Sequence, residues 1–420
     1  MQNLNMFWER YSHDAINQRV EEALQQNINL HKEPVLGIPG TYLDQEEFYE
    51  DAPFLQDAPF LRTLIANPNH IGCHTLSDNH LSYFKGTQQL ETELIRICAE
   101  QIFGGQPNQQ DGYVTPGGTE ANIQAMWIYR NYFMHEKKAR PEEIAVLFSQ
   151  DSHYSMPKGV NLLGLPAAVL PVDDCTRQIN QEALEKTVAD LTEKGIKHYI
   201  LILNLSTTMF GSVDDIARIT TFLKEKQLDF RLHIDAAFGG FIYPFTNPES
   251  AFSFRNPDIT SITIDAHKML QTPYGTGIFL IRKGWMEYVC TEEAQYIPGK
   301  DFTLCGSRSG ANAISVWMIL RTHGSEGWRV KMQQLNDRTT RLCHKLTGLG
   351  IDYFRNPYIN IIAIRSRFVS ARLAAKYHLV ADTYEREPGW YKIVVMPHVR
   401  QGILDQFISE LQAEQLPVEV

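Results

Sequence analysis

Cysteine is sparse in this chain of 420 residues, and the six that occur form no recognisable framework. They include no CxxC pair, which argues against a disulfide-stapled secreted domain and favours free thiols in a reducing cytoplasm. Long apolar runs are also missing, since the longest, at 199–205, is far shorter than the ~20 residues that cross a bilayer. No apolar core of a secretory signal is visible near the first residue. We therefore expect a cytoplasmic protein without a membrane partner.

The chain also lacks an excess of basic residues. Lys and Arg total 39 against 49 Asp and Glu, so the formal net charge is -10. Proteins that bind nucleic acids usually present a basic stripe to the phosphate backbone. The charge balance therefore predicts that this protein has no nucleic-acid partner.

Short apolar runs alternate with amphipathic stretches between about residues 90 and 285. Continuous Val, Ile and Leu runs are typical of parallel strands that are buried on both faces. Such runs lie at 143–149, 167–172, 198–205, 230–235, 259–265 and 276–282. Apolar positions 125, 128, 129 and 132 follow helical spacing between them. The predicted fold class is α/β, with a mostly parallel, doubly wound central sheet and helices on both faces, so ligands should bind beyond the carboxyl ends of the strands.

The chain is expected to have three parts. Residues 1–85 read as a helix followed by an irregular arm, which has too little apolar content to fold alone and should pack on the large domain or on another subunit. Residues 86–325 form the large domain. Residues 326–420 form a small C-terminal α+β domain, with strands at 360–365 and 391–397 and an amphipathic helix at 403–411.

A glycine-rich turn, "TPGGTEAN" at 115–122, leads directly into the predicted helix. Gly117 and Gly118 permit a sharp turn, and the helix N-terminus then offers free N–H groups and the positive end of its dipole. Thr119 adds a hydroxyl donor. The turn therefore suits a phosphate group, although an ordinary helix cap is an equally simple interpretation. It lacks the lysine of a Walker loop and does not fit GxGxxG, which disfavours nucleoside triphosphates and dinucleotides.

Three further polar or small residues follow predicted strands. Asp235, in "HIDAAFGGF", ends a buried strand, where a carboxylate needs a cationic or donor partner. Ala237, two residues later, is small enough for a flat ring to lie against it. His153, in "DSHYS", could stack on a planar group. Considered alone, Asp235 is most simply interpreted as the cap of a turn, and His153 as a polar residue whose hydrogen bonds are formed within the protein.

The segment "TIDAHKM" delivers a histidine and a lysine at the end of another apolar strand. Lysine is seldom buried without a partner, and a lysine removed from water becomes a nucleophile that can form a Schiff base. A phosphate cradle, a carboxylate for a ring nitrogen, a stacking histidine and such a lysine are together the groups that hold pyridoxal phosphate. Their order along the chain, each directly after a strand, predicts this cofactor.

With these residues the chain resembles the group II pyridoxal-phosphate-dependent amino-acid decarboxylases, which belong to the aspartate aminotransferase superfamily of fold type I. The matching segments include "TPGGTEAN", "DSHYS", "LNLSTTMFGSVDDI", "HIDAAFGGF", "TIDAHKM" and "TLCGSRSG". The resemblance covers roughly residues 65 to 410. It is greatest to the tyrosine/aspartate decarboxylase branch, with histidine decarboxylases and sphingosine-phosphate lyases as more distant relatives.

The resemblance implies a role for each matching residue. Lys268 would bind the cofactor covalently and His267 would help to bind its phosphate. Asp235 would pair with the ring nitrogen. The remaining implied cofactor contacts are His153 and Ala237 on the two ring faces, Gly118 and Thr119 at the phosphate, Thr208 near the ring or the substrate carboxylate, and Ser307 from a second subunit. An obligate homodimer with shared active sites follows from the last of these.

Two assignments depart from the family pattern or depend on loose alignment. Ser206 stands where the family usually has glycine, directly before Thr207. Tyr296, in "EEAQYIPGKDF", best matches the tyrosine of the family's catalytic loop, which protonates the substrate carbon.

A histidine-rich segment, "HIGCHTLSDNH" at 70–80, raises the alternative of a zinc site. Pro68 and Gly72 argue against the continuous helix that paired histidine ligands would need. We therefore predict no metal site. His74 is a candidate substrate contact, and a purely structural role is equally open.

The predicted function is decarboxylation of an L-amino acid to the corresponding amine and CO₂. An aromatic or acidic amino acid such as tyrosine or aspartate is favoured as the substrate, and histidine is possible. The alternative enzyme is a lyase that breaks Cα–Cβ, as the sphingosine-phosphate lyases do. A non-catalytic scaffold would be expected to have lost Lys268 or Asp235, and both are present.

Overall fold

The computed structural model describes residues 7–27, 84–291 and 300–415, together with the backbone of 70–71. Its α-helices, in chain order, are α1 (His13–Gln25), α2 (Lys85–Arg96), α3 (Gly118–Glu136), α4 (Ser155–Leu163), α5 (Gln181–Glu193), α6 (Ile216–Glu225), α7 (Tyr243–Thr246), α8 (Gly310–Gly348, interrupted at Gly324), α9 (Ala371–Lys376) and α10 (Gln401–Gln415). Its strands are β1 (His70–Ile71), β2 (Gln110–Thr115), β3 (Ile144–Ser149), β4 (Ala167–Leu170), β5 (His198–Asn204), β6 (Asp229–Asp235), β7 (Ile259–Asp265), β8 (Gly277–Arg282), β9 (Ser307–Arg308), β10 (Tyr353–Phe354), β11 (Ile361–Arg365), β12 (Val380–Ala381) and β13 (Trp390–Val394).

Within the described ranges, a seven-stranded sheet has the strand order β2-β8-β7-β6-β5-β3-β4. The pairs β3–β4, β3–β5, β5–β6 and β6–β7 are parallel. Every residue of β3 and β7 is buried, which explains their continuous apolar sequences. The α/β class with a mostly parallel central sheet is thereby confirmed.

The direction of one strand, β8, differs from the predicted direction. The apolar run at 276–282 was predicted as a parallel strand, but β8 pairs antiparallel with β2. The prediction was wrong because the link from Asp265 to Gly277 is too short for the crossover that a parallel connection needs. The strand β2 itself, "QDGYVT", was not predicted, because it contains no apolar run.

The chain divides into two compact units. The first comprises residues 1–132 and 265–325, and the second comprises 133–264 and 326–420. The second unit contains an antiparallel sheet of order β10-β11-β13-β12, whose strands β11 and β13 and following helix α10 confirm the elements predicted there. Apolar residues of this sheet and of the flanking helices form one core, including Leu346, Ile362, Ile364, Leu404 and Phe407. The proposed boundaries at 85/86 and 325/326 stay a prediction.

Two expectations about the chemistry of the chain can be compared with the described residues. Their cysteines, at 98, 175, 290, 305 and 343, are free. In the same ranges, no helix combines the length and the apolar character that crossing a membrane demands.

Candidate active site

The turn between β2 and α3 has the shape that the glycine-rich sequence predicted. Gly117 has φ +133°, a conformation that side chains rarely adopt, and a Cβ there would meet no heavy atom within 4 Å. The Thr115 hydroxyl donates to the Gly117 carbonyl over 3.0 Å. Gly118 is the first residue of α3, and Thr119 follows it half-buried. The turn therefore leads directly into the N-terminus of α3.

An anion already lies at this helix N-terminus, and it is the side chain of Asp265. The Gly118 N–H donates to Asp265 Oδ1 over 2.6 Å, and a Cβ on Gly118 would approach the same oxygen to 2.9 Å. Asp265 ends β7 and is only 5% exposed. A carboxylate at this position is favourable because the first N–H groups of a helix and its dipole both attract negative charge. Asp265 thus shows that the N-terminus of α3 accommodates an anion.

Lys268 and His267 belong to the same cluster. Lys268 Nζ lies 2.8 Å from Asp265 Oδ2, and His267 Nε2 lies 3.8 Å from that oxygen. His267 Nδ1 is 2.9 Å from the Thr276 carbonyl, and since a carbonyl can only accept, Nδ1 must be the donor. His267 Nε2 therefore faces the carboxylate side of the cluster. The structure brings Gly118, His267 and Lys268 together around one buried anion.

Asp265 is the residue of this cluster that sequence reasoning missed. It lies inside the segment "TIDAHKM", but the sequence analysis gave it no role. The available signal was an acidic residue that closes a buried strand three positions before a lysine, where it can form an i,i+3 ion pair. Its contact with Gly118 could not be predicted from the sequence, because the two residues are 147 positions apart.

Ser307 lies in the first unit but does not join this cluster. Its side chain is exposed, whereas the next residue, Arg308, is buried in an ion pair with Glu91. Arg308 Nη1 is 2.5 Å from Glu91 Oε1 and 3.0 Å from the Val114 carbonyl of β2. These bonds fix the position of Ser307 in its own chain and leave its hydroxyl side open.

The second unit places the other predicted residues at the carboxyl ends of neighbouring parallel strands. His153 follows β3, Thr208 follows β5, and Asp235 ends β6. Asp235 is 5% exposed, and its Oδ1 accepts the Ala237 N–H over 3.1 Å. This bond fits the simple interpretation of a turn cap, but it also orients the carboxylate beside Ala237.

His153 is half-buried, and its ring is oriented by neighbours of its own segment. His153 Nδ1 and Ser155 Oγ are 2.9 Å apart. The ring of the exposed Tyr154 lies 3.9 Å from the His153 ring, centroid to centroid. His153 is thus positioned by Tyr154 and Ser155 of its own segment.

The loop that bears Thr208 has an unusual start. Ser206 has φ +83°, which explains why glycine is usual at this position in the resembling family. Ser206 is 8% exposed, and its hydroxyl has no hydrogen-bond partner among the described residues. The Thr208 carbonyl accepts from Lys392 Nζ over 3.1 Å, while the Thr208 side chain is exposed.

Two predicted site residues cannot be placed. Tyr296 and His74 lie outside the described residues, as does most of the histidine-rich segment at 70–80. In the described part of the chain, no group of three or more His, Cys, Asp or Glu residues is arranged to hold a metal ion.

Comparisons with known proteins identify the family of the chain. Residues 88–349 match the family described as "Pyridoxal-dependent decarboxylase conserved domain". The chain is 45% identical over 406 residues to a tryptophan decarboxylase of Clostridium sporogenes, covering 97% of both chains. It is 30% identical over 345 residues to a probable L-tyrosine/L-aspartate decarboxylase of Methanosarcina barkeri, covering 79% of this chain and 85% of that one.

A solved structure supports the fold. The L-methionine decarboxylase of Streptomyces sp. 590 superposes with a TM-score of 0.68 at 19% identity, covering 95% of this chain and 93% of the other. At that identity the likeness shows the architecture alone.

The chain belongs to the family of pyridoxal-dependent decarboxylases. It is a group II enzyme that uses pyridoxal 5'-phosphate to decarboxylate an amino acid. The predicted family, enzyme class and cofactor are confirmed.

Proposed function

We propose that this decarboxylase acts on an aromatic L-amino acid, with tryptophan as the first candidate. The observation that carries the proposal is the 45% identity, over 97% of both chains, to a protein named for tryptophan. Relatives named for tyrosine and aspartate are about 30% identical over a smaller share of this chain. Tyrosine and aspartate, which the sequence analysis favoured, are therefore ranked behind tryptophan.

The residues of the first unit fit the phosphate end of the cofactor. Gly118 and Thr119 are proposed to donate to the phosphate, with His267 Nε2 as an additional partner. Lys268 is proposed to bind the cofactor covalently. The support is that an anion, the Asp265 carboxylate, already occupies this donor set, with Gly118 N at 2.6 Å and Lys268 Nζ at 2.8 Å.

The residues of the second unit fit the ring end. When bound, pyridoxal phosphate accepts the electron pair that remains on Cα when the bond to the carboxylate breaks. Asp235 is proposed to hold a proton on the ring nitrogen, since a buried carboxylate stabilises a cationic partner. His153 and Ala237 would cover the ring faces, and Thr208 would bind near the ring or the substrate carboxylate. Tyr296 is proposed to return a proton to Cα.

Asp265 has a distinct role in this proposal. The phosphate and Asp265 Oδ1 compete for the Gly118 N–H, because one backbone N–H is shared poorly between two anions. The ion pair with Lys268 uses the other oxygen, Oδ2. Asp265 would therefore release the helix N-terminus and remain as the counter-ion of any positive charge on Lys268.

The active enzyme is proposed to be a homodimer in which Ser307 of one copy serves the cofactor of the other. Two observations support this. The Ser307 side chain is exposed although the next residue, Arg308, is held in a buried ion pair, and Tyr274 of the same unit is 90% exposed. The segments of both residues are linked by a bond from Asn312 Nδ2 to the Gly275 carbonyl. An exposed aromatic ring and a site hydroxyl are what a second subunit would cover.

We place the reaction in the cytoplasm. The free thiols of the described residues support this, because secreted proteins usually pair their cysteines.

A substrate panel tests the proposed specificity. With added pyridoxal phosphate, kcat/KM for CO₂ release is expected to be at least about tenfold higher for L-tryptophan than for L-aspartate. An apolar slot that accepts an indole leaves an acidic side chain without its water or a cation. Phenylalanine, tyrosine, glutamate, histidine and D-tryptophan complete the panel, with amine formation as a second readout. Faster turnover of aspartate, or no CO₂ from any amino acid, would contradict the proposal.

Mixing two inactive variants tests the shared site. Heterodimers of Ser307→Trp and Lys268→Ala would contain one site with both lesions and one with neither. Random assortment makes about half of the dimers mixed, so activity should recover to roughly a quarter of wild type. A mixture of Ser307→Trp with a Ser307→Trp, Lys268→Ala double variant serves as the control and should stay inactive. If the first mixture also stays inactive after verified subunit exchange, Ser307 does not act across subunits.

A further inference from the structure

One buried arginine contacts both loops that bear proposed ring-binding residues. Arg177 lies between β4 and α5, is 5% exposed, and has φ +54° in a turn closed by its own N–H to the Asp173 carbonyl at 2.8 Å. Buried arginine is uncommon, and a left-handed backbone is uncommon for any residue with a side chain. Its contacts therefore need an explanation.

The first contact is a bidentate ion pair with Asp151, in the loop that bears His153. Arg177 Nε and Nη2 lie 2.9 and 2.5 Å from Asp151 Oδ2 and Oδ1. The side chains of the pair are 6% and 9% exposed, so water screens the pair little. Asp151 precedes His153 by two residues, and this pairing fixes where the His153 segment leaves β3.

The second contact is with the loop of Thr208. The guanidinium carbon of Arg177 lies 3.9 Å from the centroid of the Phe210 ring. Phe210 is 5% exposed and packs edge-on against Trp390, with ring centroids 5.5 Å apart. Phe210 follows Thr208 by two residues, so one planar side chain spans from the His153 loop to the Thr208 loop.

A separate bond explains why the His153 loop would loosen rather than unfold without Arg177. Asn204, the last residue of β5, donates from Nδ2 to Ser152 Oγ over 3.0 Å and to Asp214 Oδ2 over 2.8 Å. Burial raises the pKa of the Asp214 carboxyl to about 6, although the hydrogen bonds from Asn204 oppose this rise. The loop thus keeps one anchor when the ion pair is lost.

We propose that Arg177 is a positioning residue that sets the spacing between His153 and Thr208 and so shapes the ring end of the cofactor site. The inference deepens the proposed function and rests on it, because it assumes that both residues contact pyridoxal phosphate. Arg177 itself touches neither cofactor nor substrate. It acts by holding one loop through charge and the other through ring stacking.

The test must avoid leaving a buried charge without its partner. Burial raises the pKa of the Asp151 carboxyl, and the hydrogen bonds and charge of Arg177 oppose that rise. Arg177→Gln alone would therefore leave the Asp151 carboxylate buried without a cationic partner. The Arg177→Gln, Asp151→Asn double variant removes both charges and keeps similar shapes. Arg177→Lys keeps the positive charge but lacks the planar guanidinium group that makes the bidentate pair. Arg329→Gln, which breaks an exposed pair with Glu326, is the matched control.

The first readout is amide hydrogen exchange of the cofactor-free protein. In the double variant, peptides that cover 150–156 and 205–212 should exchange at least about tenfold faster than in wild type. Peptides of α10 in the double variant, and all peptides of the control variant, should exchange as in wild type. Unchanged exchange in the two loops would overturn the inference without reference to catalysis.

The second readout is binding of pyridoxal phosphate, followed by absorbance, together with kcat and KM. The double variant should bind the cofactor about tenfold more weakly and lose more in kcat than in KM, and Arg177→Lys should recover part of both. Faster exchange with an unchanged dissociation constant would make Arg177 merely structural and overturn the proposal. A wild type that binds no pyridoxal phosphate would instead overturn the proposed function.

Discussion

Replacing Lys268 with alanine is expected to lower kcat for CO₂ release by on the order of 10³-fold or more, because the variant loses both the covalent attachment and a positioned amine. Lys268 Nζ now lies 2.8 Å from Asp265, at the anion-binding end of α3. The turn that is proposed to hold the phosphate should remain intact, since its donors are backbone groups. The variant should therefore still bind pyridoxal phosphate, but borohydride should fix no adduct.

Borohydride reduction followed by peptide mass spectrometry gives the direct measurement. In wild type the reduced adduct should be found on the peptide that contains Lys268. Lys283→Ala is the matched control, because Lys283 is an exposed lysine of the same unit. An adduct on another lysine in wild type would overturn the assignment of the covalent residue, and with it the proposed site.

Asp235→Asn is expected to lower kcat by about 10²- to 10³-fold while the fold is retained. The amide keeps the shape of the carboxylate and can still accept the Ala237 N–H at the end of β6. It cannot stabilise a positive charge on the ring nitrogen, because it carries no negative charge. The loss should therefore appear in kcat, and the melting temperature should change little.

Asp229→Asn provides the comparison for this variant. Asp229 begins the same strand, at the end opposite to Asp235, and its carboxylate lies 3.2 Å from Arg231 and 3.6 Å from Lys137. Its replacement should leave kcat within about twofold of wild type, since surface pairs contribute little. Full activity in Asp235→Asn would show that Asp235 is only a turn cap.

The elements of the sheet could be predicted where local sequence decides the structure. The runs of β3, β5 and β7 are apolar because both faces are buried, and that property is written in consecutive residues. β2 was missed because its "QDGYVT" owes its burial to the elements around it rather than to apolar side chains. The direction of β8 depends on the length of a link, which composition does not reveal.

The candidate site divides in the same way. Lys268 and Asp235 could be proposed because each follows or ends a predicted strand and has a chemically distinctive side chain. Gly118 could be proposed because it lies in a glycine-rich turn that opens a predicted helix. Arg177 gave no signal, since its contacts with Asp151 and Phe210 depend on how separate loops meet. Such contacts form only when the chain folds and brings distant segments together. They leave no local pattern in a single sequence from which they could be predicted.

The carboxylate of Asp265 has a consequence for the newly made chain. Without it, the ammonium of Lys268 and the N-terminus of α3 would face each other with no negative charge between them, a like-signed arrangement that opposes closure of the first unit. The chain therefore supplies from its own sequence the negative charge that allows the lysine and the helix N-terminus to pack together.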